Sequence, residues 1–318
     1  MDDSQPSGHR GPGAAAGRPD ATDRTPQGVL VLGMHRSGTS AVAGLVHLLG
    51  LATCVPDDLI SGMAWNPRGH FESRTMTRVN DELLAAMGRT WWYPPPSGAA
   101  YSEVASVLDP QAGTAVRSFD RVHPSGPWVW KDPRTCLTLP FWRQALDRPL
   151  AGIAVFRHPI DVATSLEYRN SLPLPFGVAL WERYGRLLLE HAAGLPLLVA
   201  SYDDLVGDPL RWSASAGSFL AGLGVTVRPG VEEDVRRFVD PALRHSHEHR
   251  SAAFRLSPGA TEVLDAFAAC VGAHRSFDPP ALTVEDATVD ETLRSRWPDR
   301  PPSWNLPPWS AAEAGAAP

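Results

Sequence analysis

Lysine is almost missing from this 318-residue chain: Lys131 stands alone beside 28 arginines. The formal charge is −6. A chain with no surplus of cations is excluded as a general nucleic-acid binder, because affinity there rests on many contacts to phosphate. Cysteine is nearly as scarce. Cys54, Cys136 and Cys270 lie far apart with no C-x-x-C spacing, which excludes a disulfide framework and a cysteine zinc site and fits a reducing compartment. No run of eighteen apolar residues occurs, so no membrane span is expected. The opening Met1-Asp2-Asp3 begins no apolar segment of the kind a secretory signal needs, and a cytoplasmic protein is the expectation.

With 43% hydrophobic residues the chain can bury one large core or two small ones, and one α/β domain is the simpler reading. Residues 1–26 are Gly, Pro, Ala, Asp and Arg with almost nothing to bury, and they read as a disordered tail. A Pro-rich second tail is read at 298–318, leaving one domain over 27–297. Within it, strands and helices alternate. Val29–Leu32, Pro127–Lys131, Ile153–Phe156 and Leu197–Ala200 read as buried strands. Helical spacing is read over Thr75–Met87, Leu139–Leu146, Phe176–His191, Pro209–Leu223 and Gly230–Val239. This order predicts a three-layer α/β fold, P-loop-like, with a central mainly parallel sheet flanked by helices. Ligands in such folds bind beyond the carboxyl ends of the strands. Met34–Ser40, Lys131–Arg134, Arg157–Asp161 and Ser201–Asp204 fall there.

The first of these segments carries the strongest signal. A strand ends at Gly33, a short polar loop follows, and a helix starts after Gly38. Backbone N–H groups and the helix dipole both point at an anion in such a turn. Gly33, four residues and Gly38 match the P-loop frame, but Thr39 stands where the Walker lysine belongs. The loop is therefore built for a phosphate group without the lysine that NTPases place on the β- and γ-phosphates. The surviving Lys131 is the second signal. Abundant Ala, Gly and Pro look like a GC-rich coding bias that turns replaceable lysines into arginines, so Lys131 is read as a position where a compact ammonium matters.

From about Gly28 to His249 the chain resembles sulfotransferases that use 3′-phosphoadenosine-5′-phosphosulfate. Arg36-Ser37-Gly38-Thr39-Ser40 is similar to the family's basic residue followed by S-G-T-[ST], which holds the 5′-phosphosulfate. Arg157 at a strand end, with Ser165 eight positions on, is similar to the pair that binds the 3′-phosphate. An arginine offers a planar fork to phosphate oxygens. Lys131 in W-V-W-K-D-P-R resembles the strand-end lysine that reaches the transferring sulfonate, but Pro133 replaces the histidine base of some relatives. The resemblance then implies a glutamate base after the first helix: Glu72, with His70 and Asp132 as other candidates. The plainer alternatives are a dipole-stabilised helix carboxylate for Glu72 and a turn salt bridge for Asp132 with Arg134. Tyr202 in S-Y-D-D-L resembles a residue near the adenine, and Arg244 is a further phosphate contact by resemblance. Ala41 lacks the aromatic that the family places there. The His245/His247/His249 alternation is read as a solvated loop, and no metal is expected.

The resemblance implies a sulfotransferase acting on a hydroxyl acceptor: a glycan, a lipid or a small natural product. Met63–Phe71, Trp91–Pro96 and Tyr168–Phe176 are read as its walls. Two other readings stay open, a P-loop kinase-like phosphotransferase and a non-catalytic nucleotide- or glycan-binding module.

Overall fold

A computed structural model describes residues 26, 28–60, 69–98, 101–124, 126–239 and 254–295. Both tails, apart from Pro26, lie outside these residues, as do Arg244 and the histidines that follow it. Five strands form the sheet: β1 (Gly28–Leu32), β2 (Trp128–Lys131), β3 (Ala151–Phe156), β4 (Leu197–Ser201) and β5 (Gly272–His274). Their order is β2-β1-β3-β4-β5. The first four are mutually parallel and β5 pairs antiparallel on β4. The chain leaves β1 for β2 on one side and later returns to β3 on the other. A crevice therefore opens at the carboxyl end of β1, where the two directions part.

Alternation along each strand divides the apolar residues between two faces. Leu30, Leu32, Ala154, Phe156, Leu197 and Val199 belong to one core. Val29, Val31, Ile153, Val155, Leu198 and Ala200 belong to the other. The first core is covered by α2 (Arg74–Ala86), α3 (Tyr101–Val122), α4 (Thr135–Ala145), α5 (Pro159–Asn170), α6 (Leu174–His191), α10 (Pro258–Ala269) and α11 (Ala287–Ser295). The second is covered by α1 (Thr39–Leu48), α8 (Pro209–Gly222) and α9 (Glu232–Phe238). A short α7 (Tyr202–Gly207) links β4 to α8. Three layers result, as the strand–helix alternation predicts.

Two departures have local causes. Nothing in the periodicity announced α3, whose 22 residues contain Pro110. Its buried Leu108, Ala115, Phe119 and Val122 nevertheless form one stripe against the core. The helix after β2 begins at Thr135, not near Leu139, even though Pro140 lies inside it. Proline cannot donate to the carbonyl four residues back. His191 Nδ1 lies 2.8 Å from that carbonyl, Cys136 O, and replaces the missing partner. Among the described residues no helix is long and apolar enough to cross a membrane.

Candidate active site

The loop between β1 and α1 is shaped by two glycines. A Cβ on Gly33 would stand 2.5 Å from Val155 O, and one on Gly38 would stand 2.2 Å from the Tyr202 ring. Gly38 also has φ +94°, a left-handed value that glycine adopts without strain. The Gly33 N–H donates to Cys136 Sγ at 3.0 Å, and Ser37 N donates to Met34 O at 3.2 Å, closing the turn. No side chain caps the start of α1 and no acidic residue stands in its first turn. The helix dipole is thus left uncompensated where an anion would sit. Ser37 Oγ is buried and has no partner among the described residues, an unmet polar group in the middle of the turn.

Arg36, itself in a left-handed conformation at φ 70°, donates from Nε to Ser165 Oγ at 2.8 Å. Burial and the neighbouring Arg169 and Arg157 lower its pKa to about 10. No carboxylate pairs with it among the described residues, so this guanidinium is crowded by like charge without a countercharge there. Arg157, at the end of β3, is 7% exposed. Its guanidinium lies 4.8 Å from the centre of the Tyr202 ring, and its Nε is 3.5 Å from Asp161 Oδ2 one helical turn on. Tyr202 therefore touches the glycine turn on one side and Arg157 on the other. The two segments that the resemblance picks out, 129 residues apart at Arg36 and Ser165, meet in one place.

Beyond the carboxyl end of β2 lies an acid–base cluster. Lys131, 3% exposed, donates to Glu72 Oε1 in a buried ion pair. Burial would raise the Glu72 carboxyl, but Lys131 and then Arg134 outweigh it and hold the group below its ordinary value. Ser73, next to Glu72, caps α2, accepting from Met76 N at 3.0 Å, and the first turn holds no acid. The Glu72 backbone is pinned, because Ile60 N donates to Glu72 O at 2.8 Å and Ser73 Oγ donates to Asp58. Ser40 Oγ, at the start of α1, donates to His70 O at 3.3 Å and joins the loop to this cluster.

The other two candidate bases stand in different surroundings. Burial lowers the His70 pKa to about 4, and its Nε2 is shut off from water with no partner among the described residues. Asp132, 1% exposed, accepts from Asn80 Nδ2 at 2.9 Å, Arg134 N at 3.0 Å and Arg134 Nη1 at 3.1 Å. Asn80 in turn accepts from Thr138 Oγ1 and Trp142 Nε1, both at 2.8 Å. Asp132 thus ties Asn80 on α2 to Arg134 ahead of α4.

One residue that sequence reasoning did not single out also belongs here. His35, inside the loop, packs against Trp91 at 4.7 Å between ring centres, and burial backed by Arg134 and Lys131 keeps it neutral. The Trp91–Pro96 segment is anchored on α6, with Tyr184 Oη donating to Trp91 O at 2.9 Å and Arg183 Nη1 to Pro95 O at 2.9 Å. Of the other segments read as walls, 61–68 lies outside the described residues, while Tyr168 is 83% exposed. Among the described residues no group of three or more His, Cys, Asp or Glu could hold a metal ion.

In comparisons with known proteins the chain matches no family model and no curated protein. Among solved structures it is similar to the sulfotransferase domain from the Synechococcus PCC 7002 olefin synthase. That likeness has 18% identity and a TM-score of 0.44, and it covers 80% of this chain and 98% of that one.

Proposed function

We propose that this protein is a sulfotransferase that moves a sulfonate from 3′-phosphoadenosine-5′-phosphosulfate to a hydroxyl acceptor. The observation that carries the reading is the junction at Gly38: one turn collects Arg36 with Ser165 and, through Tyr202, Arg157. Such a junction offers two cationic ends to a single bisphosphorylated nucleotide. Arg36, Ser37, Gly38, Thr39 and Ser40 would hold the 5′-phosphosulfate, Arg157 and Ser165 the 3′-phosphate, and Tyr202 would lie beside the nucleoside. The unmet Ser37 hydroxyl and the uncapped α1 fit that use.

The nucleotide supplies an activated sulfonate whose leaving group is a phosphate oxygen. As the acceptor oxygen bonds to sulfur, the sulfur–oxygen bond to the 5′-phosphate breaks and its electron pair stays on phosphate. Lys131 stabilises that charge. Glu72 takes the acceptor proton. Arg36 and the loop amides hold the reacting group in line for attack.

Calorimetry with adenosine 3′,5′-bisphosphate tests the reading. Binding should be micromolar and Arg157→Ala should weaken it by about 10- to 100-fold, the scale of a hydrogen bond to a charged group. Equal affinity in the variant would refute the site.

A further inference from the structure

Lys131 and Glu72 are bonded to each other, yet the reaction needs each of them elsewhere. A carboxylate held by an ammonium is a poor proton acceptor, and an ammonium committed to a carboxylate cannot serve a leaving oxygen. We infer that Lys131 has two stations: on Glu72 while the loop holds no donor, and on the 5′-phosphate side of the donor once it is bound. Donor binding thereby releases Glu72 to act on the acceptor. The inference rests on the donor reading above.

The fold allows the swing. Lys131 is fixed by its backbone at the end of β2, in register with Val31 of β1, two residues before Gly33. The loop and Glu72 therefore flank one anchored lysine stem. The ammonium carries three rotatable donors on a flexible four-carbon chain, whereas an arginine would grip Glu72 with a planar fork and release it less readily. This gives a reason for the one lysine in a chain that otherwise uses arginine. The surroundings of Glu72 make the exchange consequential. Besides Lys131 it is faced by Arg134 ahead of α4, Arg169 on α5, His70 on its own segment and Asp81 on α2. Arg134 is already engaged by Asp81 at 2.6 Å and by Asp132. Lys131 is thus the direct partner of Glu72 whose position can change without dismantling the tie from Asn80 through Asp132 to Arg134.

Two measurements on the full chain test this. The first is nucleotide affinity by calorimetry. Breaking the Lys131–Glu72 pair costs part of the binding energy, so Glu72→Gln should bind adenosine 3′,5′-bisphosphate about 5- to 50-fold more tightly than the native protein, the usual range for coupled sites. In a Lys131→Met background the same Glu72→Gln change should alter affinity less than about twofold, because no lysine remains to be released. Unchanged or weaker binding by Glu72→Gln, or equal tightening in both backgrounds, overturns the inference while leaving the donor reading intact. Absence of any nucleotide binding by the native protein overturns both.

The second measurement needs no variant. Lysine-selective 13C,15N labelling gives a single side-chain signal, that of Lys131. Without nucleotide it should follow the acid titration of Glu72, and saturation with adenosine 3′,5′-bisphosphate should shift it and abolish that dependence. A signal that stays in place while calorimetry records binding refutes the two stations.

Discussion

Gly38→Ala tests the junction on which the site depends. The new methyl would need a left-handed backbone at φ +94° and would stand 2.2 Å from Tyr202 Cδ2. The backbone term costs about 1–2 kcal/mol for a residue with a Cβ, and forcing extra volume against a packed ring adds about 1–3 kcal/mol. A loss of about 2–5 kcal/mol in unfolding free energy is expected, read from urea denaturation at constant m-value. The ring can yield only by leaving its place under Arg157, so nucleotide affinity should fall as well. Tyr202→Ala removes the obstacle. In that background Gly38→Ala should cost only the backbone term, giving a coupling of about 1–3 kcal/mol between the two positions. Strictly additive losses would show that Tyr202 does not pack on the turn, and the bridge from Gly38 to Arg157 would be gone.

Other expectations follow from the same geometry. Glu72→Gln should abolish sulfonate transfer, and full turnover would place the base elsewhere. Lys131→Arg should reduce kcat by more than it weakens donor binding, since charge is kept while reach and release change; a native kcat would make the lone lysine incidental. His123 is 6% exposed and stacked on Phe119 at 4.5 Å, and burial pushes its pKa down to about 4. Its neutral form is the one the fold accepts, so its contribution is complete above the ordinary histidine value near 6.5 and is lost as pH falls toward 4. About 3 kcal/mol of stability is at stake over that window. His123→Phe should flatten that part of the stability–pH curve, and an unchanged slope would refute the assignment.

The sheet was legible in the sequence because each inner strand is a short apolar run that ends at a polar segment. Val29–Leu32 and Leu197–Ala200 fall within a residue of β1 and β4. Helices with a clean stripe, such as α2 and α6, were legible for the same reason. Pro110 and Pro140 hid α3 and the start of α4, because local propensity opposes helix there and packing overrides it. The elements after Val239, namely α10, β5 and α11, were not anticipated. The phosphate loop was visible in its glycine spacing, whereas the Arg36–Ser165 and Lys131–Glu72 contacts join residues 129 and 59 positions apart. No periodicity reports such distances, so the partnership of the two catalytic candidates could emerge only from the fold. The contact between Asn80 and Asp132 likewise joins residues 52 positions apart, out of reach of any local pattern.

One buried cation governs more than its own helix. Arg183, fully enclosed within α6, donates to Pro95 O at 2.9 Å on one side and to Asp290 Oδ1 at 2.5 Å on the other, with Asp286 Oδ2 3.0 Å away. Ser97 Oγ also donates to Asp286. The Trp91–Pro96 stretch therefore takes its position from the last helix of the described chain. Trimming or exchanging that distal helix would shift the Trp91–Pro96 stretch without altering any residue within it.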